Sequence, residues 1–94
     1  MATAGSAGDS AWPDPARVAF YINGRPRFQA VGYRSVLDLL ARYGYDVPAN
    51  STPAQQKRII MVFQMHFRPD LWNGVADVET MAIAEALLEK YGQG

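Results

Sequence analysis

Apolar residues recur at helical spacing in four stretches of the chain, each opened by a residue suited to start a helix. Asp14 offers a capping oxygen and Pro15 a ring already set to helical φ, and Val18, Tyr21 and Ile22 then share one face until Asn23-Gly24 ends a short first helix. Residues 25–32 show no period and are expected to form a loop. Ser35, with Asp38 three residues on, reads as a capping pair for a second helix. Its stripe is Val36, Leu39, Leu40 and Tyr43, and Gly44 closes it in a left-handed conformation. Thr52, Pro53 and Gln55 fit the N-cap, N1 and N3 positions of a third helix running from Pro53 to about Phe67. Ile59, Ile60, Phe63 and Phe67 face inward, Gln55, Lys57 and Arg58 outward, and Pro69 forbids much continuation. Beyond the Asn73-Gly74 turn, Asp77 caps a last helix with Met81, Ala84, Leu87, Leu88 and Tyr91 on its stripe and Gly92 as its stop. The pattern predicts an all-α fold: a small three-helix bundle with a short additional N-terminal helix.

Composition narrows this picture. The first ten residues are almost all Ala, Gly, Ser and Thr, which cannot bury enough apolar surface to offset ordering entropy, so residues 1–11 are expected to be a flexible tail and 12–94 one domain beginning at Trp12. Nine Lys+Arg balance nine Asp+Glu in 94 residues, which argues against generic nucleic-acid binding. With no cysteine, neither a disulfide framework nor a thiolate zinc site can form. No apolar run approaches the roughly 20 residues that span a bilayer, and the opening residues lack the basic and apolar segments of a signal peptide. Export would have to be supplied from outside this chain.

Candidate chemistry is sparse. His66 is the single histidine, and with no cysteine the remaining ligands of a zinc site would have to be carboxylates. The nearest acids, Asp70 and Asp77, lie beyond the helix end, so His66 is expected to be a partly buried histidine at the negative end of its helix. None of the four serines sits in a nucleophile elbow. Glu79, Glu85 and Glu89 alternate with apolar residues as a solvated face would, and the arginines are scattered. Phe63, Phe67 and Tyr91 fall on core stripes. Tyr45 and Trp72 instead stand just outside helix ends, beside Asp46 and Asn73, where a ring either is exposed to meet a ligand or packs over the core, as Arg68 either meets a ligand or neutralises the last carbonyls of its helix.

Three segments, AWPDPARVAFYINGR at 11–25, LLARYGYD at 39–46 and TPAQQKRIIMVFQMHFRPDLWNGVADVETMAIAEALLEKYG at 52–92, carry a family likeness. Gly44-Tyr45, Phe63-Gln64, Gly74 with Asp77, and Thr80 form its looser pattern; FQMHFRP and AIAEALLEKYG make it specific. The chain resembles the C-terminal, peptidoglycan-binding-like domain of bacterial zinc N-acetylmuramoyl-L-alanine amidases of the enterobacterial outer-membrane lipoprotein type. In that family a separate N-terminal domain holds the zinc on two His and an Asp, and none of it is present here. The resemblance therefore implies no catalytic residue, no cofactor and no metal in this chain, zinc being expected only in the catalytic domain. It implies an accessory module with peptidoglycan, as glycan or stem peptide, for a partner, and the amidase catalytic domain as a second one. A periplasmic location, tethered to the outer membrane through parts outside this chain, is expected with it, as is a monomer that neither binds nucleic acid nor inserts into a membrane. The expected ligand groove lies between the Gly44–Asp46 corner and the Trp72–Asp77 turn, with Tyr45 and Trp72 as flat faces and Arg68 and Asn73 as polar contacts. A second reading makes the chain a docking domain whose exposed aromatics, near Trp12 or Trp72, pack on the catalytic domain or another protein.

Overall fold

A computed structural model describes residues 13–91; the expected tail, Trp12 and the stop at Gly92 lie outside them. Four helices follow in order: α1 (Pro15–Ile22), α2 (Tyr33–Tyr43), α3 (Pro53–Phe67) and α4 (Val78–Tyr91). The all-α expectation holds, the one exception to helix and loop among the described residues being a single bridge between Ala30 and Asp77.

Local capping explains most boundaries. Asp14 Oδ1 accepts from Ala16 N at 2.9 Å, and Asn23 leaves α1 at a left-handed φ of 49°. At α3 the full reciprocal box is present: Gln55 N donates to Thr52 Oγ1 at 3.2 Å and Thr52 N donates to Gln55 Oε1 at 2.7 Å. Thr52→Ala should therefore destabilise the domain by about 1 kcal/mol, read as a shift in the urea midpoint at constant m-value. An unchanged midpoint would mean that Pro53 alone sets this helix start.

The start of α2 differs from expectation. The helix begins three residues earlier, at Tyr33, with Gly32 as an N-cap that makes no side-chain bond, and Ser35 is already inside the first turn. Long-range pairing overrides the local signal here, because Val31 N donates to Ala76 O at 2.7 Å and so fixes the chain's direction just before the helix. The aperiodic segment before it is likewise pinned along the start of α4, with Val78 N donating to Gln29 O at 2.9 Å and Glu79 N to Arg27 O at 2.8 Å.

α4 is the hub of the bundle. It packs along α1 and α2, while α3 closes against α2. Its buried residues, Val78, Thr80, Ala82, Ile83, Ala84, Ala86 and Leu87, go well beyond one stripe, and the three alanines let neighbouring backbones come close. The expected stripe is thus too narrow, and its last member, Tyr91, is 39% exposed rather than core. On α2, Leu37 is buried while Leu39 and Tyr43 are only partly so, since this helix faces two partners instead of one. Ile60, Phe63 and Phe67 of α3 complete the core as expected.

Candidate functional site

The turn from α3 to α4 is built around Gln64, a side chain whose role the sequence reading did not assign. It is buried, its Oε1 accepts from Gly74 N at 2.8 Å, and its Nε2 donates to Val75 O and to Thr80 Oγ1, both at 2.9 Å. Asp77 Oδ1 in turn accepts from Thr80 N at 2.8 Å, which caps α4 as expected. Phe63-Gln64, Gly74, Asp77 and Thr80 therefore meet in one hydrogen-bonded cluster. The signal for Gln64 was present: with Ile60, Phe63 and Phe67 it completes an i, i+3, i+4, i+7 set, so a polar residue on that stripe must be buried and bonded. Gly74 has a φ of 75° and lies against α3, where a Cβ would come within 2.6 Å of Lys57 Cγ and 3.3 Å of Lys57 O.

Arg68 belongs to the same cluster. It is buried, its Nε donates to Leu71 O at 2.8 Å, and its Nη1 donates to Asp77 Oδ1 at 3.0 Å and Glu79 Oε1 at 3.1 Å. Its guanidinium also sits 5.4 Å from the centre of the Phe28 ring. Glu79 is consequently not part of a solvated face. It is largely covered, and on its open side Arg27 reaches it at 2.9 Å. Within this cluster Arg68 Nη2 and Asp77 Oδ2 are buried with no hydrogen-bond partner among the described residues.

The other three expected contact residues are disposed differently. At the end of α2, Tyr45 N donates to Leu40 O at 2.9 Å and Gly44 N to Ala41 O at 3.1 Å, a Schellman motif that turns Tyr45 back toward the core. Its ring meets Phe63 edge-on at 5.7 Å and stacks on Tyr43 at 6.3 Å. Burial raises the pKa of both Tyr43 and Tyr45. Asn73 Oδ1 accepts from Val75 N at 3.0 Å and shapes its own turn. Trp72 is 47% exposed. No ring contact joins it to Tyr45 among the described residues; Arg68, Asn73 and Trp72 lie at one turn, while Tyr45, partly buried, packs against the core from the corner after α2.

A different concavity, of about 280 Å³, opens between α1, α2 and α4 and is lined by Tyr21, Leu39, Arg42, Glu85, Leu88 and Glu89. One wall is a closed polar triad: Glu89 Oε1 accepts from Arg17 Nη2 at 2.8 Å, Arg17 Nε at 3.0 Å and Tyr21 Oη at 2.8 Å. The Arg17 bond first, then the Tyr21 bond, holds the Glu89 carboxyl below its usual range, and the same bond holds the Tyr21 phenol above its own. A depressed carboxylate supports the folded state above its unfolded pKa and loses that support as pH falls through the folded one; a raised phenol does the converse at alkaline pH. Because α1 buries no residue of its own, it should lose amide-exchange protection at both extremes before α2–α4 do. Protection of α1 that stays level with the core through acid pH would show that packing alone holds it.

His66 is exposed, not partly buried, and its ring lies 5.5 Å from Phe67. No group of three His, Asp or Glu side chains among the described residues could hold a metal ion, so these residues do not fit a zinc site. No described helix is long and apolar enough to cross a membrane.

Comparison with known proteins places this arrangement. No protein-family model matches the chain. It is 64% identical over 86 residues to the N-acetylmuramoyl-L-alanine amidase AmiD of Escherichia coli (strain K12), a match that covers 92% of this chain and 31% of that protein. The structure of the AmiD complex with anhydro-N-acetylmuramic acid-L-Ala-D-gamma-Glu-L-Lys superposes with a TM-score of 0.89 at 61% identity, over 96% of this chain and 35% of that one. AmpDh3 from Pseudomonas aeruginosa, in complex with anhydromuramic pentapeptide, follows at a TM-score of 0.77 and 40% identity, over 93% and 34%. The resemblance read from the sequence is borne out, and the chain spans about a third of the length of these relatives.

Proposed function

We propose that this chain is a non-catalytic peptidoglycan-binding module of an N-acetylmuramoyl-L-alanine amidase, working in peptidoglycan turnover. The observation that carries the reading is the 64% identity to one third of an amidase, over a domain whose described residues offer no metal-holding cluster. The zinc chemistry of the whole enzyme then belongs to a catalytic domain outside this chain, and the periplasm is where its polymer lies. Ligands in the related structures are muropeptides, which supports a peptidoglycan-derived partner here.

At the α3–α4 turn, Trp72 is the contact this reading favours, because its ring is open while Arg68 and Asn73 already serve the fold. Purified chain should sediment with insoluble sacculi in a saturable way, and Trp72→Ala should weaken this without shifting the melting temperature. A second reading, docking on the catalytic domain, draws on exposed apolar side chains such as Trp72, Val62 and Met65. It requires no retention on sacculi together with measurable binding to the isolated catalytic domain of a related amidase.

A further inference from the structure

Two charged side chains of opposite sign, Arg42 exposed and Glu85 partly buried, stand at the concavity between α1, α2 and α4. Arg42 and Glu85 both line it, and neither side chain takes part in an ion pair or hydrogen bond among the described residues. This contrasts with Glu89 beside them, whose Oε1 accepts from both Arg17 and Tyr21. Leu39 and Leu88, both half-buried, supply the apolar part of the lining. Arg42 lies in the last turn of α2, where a cation complements the helix dipole, yet that role leaves its fork of donors free.

We infer that this groove binds a short peptide carrying both a carboxylate and a free ammonium, the carboxylate on Arg42 and the ammonium on Glu85, with aliphatic atoms between them over Leu39 and Leu88. Charge complementarity selects the class of ligand. A neutral glycan would leave both charges desolvated without a partner, and the groove offers it no open aromatic face: Tyr21 packs edge-on with Phe20 at 5.3 Å and lies under the Arg17 guanidinium. Peptides of the L-Ala-D-gamma-Glu-L-Lys type, present in a related structure's ligand, carry both groups. The volume, about 280 Å³, lies at the small end of ligand pockets and admits only part of such a peptide, so modest affinity is expected. This inference rests on the peptidoglycan reading and refines it, adding to the contact at the α3–α4 turn a second one, for the stem peptide, in the groove lined by α2 and α4.

The test is an NMR titration of the 94-residue chain with the synthetic tripeptide L-Ala-γ-D-Glu-L-Lys. Amides of Leu39, Arg42, Glu85 and Leu88 should shift and saturate together. Arg42→Ala and Glu85→Gln, each expected to melt like the parent because neither side chain is bonded, should weaken binding about tenfold. No shift at these positions up to the peptide's solubility, or equal affinity in both variants, overturns the inference. Sacculus retention is scored separately: retention with a silent groove overturns the groove and leaves the module reading standing. Tripeptide in the groove without retention supports the groove and overturns the module reading.

Discussion

Arg68→Ala should destabilise the domain by about 3–5 kcal/mol, because it leaves the buried Asp77 carboxylate with no cation and Glu79 with Arg27 alone. Asp77 is fully buried and Glu79 largely so, and both accept from the same Nη1, at 3.0 Å and 3.1 Å. Typical domains of this size hold only about 5–15 kcal/mol in total, so the variant should melt far below the parent or populate an unfolded fraction at room temperature. The network itself need not be strongly stabilising, since Arg68 Nη2 and Asp77 Oδ2 remain without partners. Breaking it is costly for a different reason: desolvation of the remaining charges is no longer offset. A triple replacement, Arg68→Met with Asp77→Asn and Glu79→Leu, removes the charges while Asn keeps a capping oxygen for Thr80 N, and should recover a large part of the loss. A melting temperature for Arg68→Ala equal to that of the parent would instead place the guanidinium in solvent, free for ligand.

Phe63→Ala is expected to cost a similar amount, about 3–5 kcal/mol, through the cavity it leaves. The ring is 1% exposed and touches Phe67 at 5.0 Å and Tyr45 at 5.7 Å, so its loss removes the centre of an aromatic cluster that includes the corner after α2. Denaturant unfolding followed by tyrosine fluorescence would report both effects, and a midpoint close to the parent's would mean the α3 phase is rotated. Phe63→Leu, which keeps most of the apolar volume, should cost much less than the alanine variant.

The two variants probe parts of the molecule that were unequally legible. Phe63 could be placed from periodicity, because a core position on an amphipathic helix is defined by its neighbours three and four residues away. Arg68 could not, since the same side chain at a helix end is solvated or buried according to what a distant segment brings to it. Here Phe28, Asp77 and Glu79 converge on it from two other segments. Glu79 was misplaced for the same reason, and the orientation of Tyr45, left open by the sequence, is set by the Schellman turn at Gly44, which lays its ring against the core.

Helix starts at Pro15, Pro53 and Val78, the stop at Gly44, the inward face of α3 and the family likeness were determined by the sequence alone. The helix starts and the stop rest on contacts within about four residues, such as Thr52 with Gln55 or Asp77 with Thr80, which form wherever the helix sits. Only the tertiary structure decided that α2 starts at Tyr33, that α4 is buried on most sides, that Gln64 ties the turn together, and that Arg42 and Glu85 share a groove. Those outcomes depend on pairings between residues far apart in the chain, where one packing partner can override a local cap and one buried charge can recruit another.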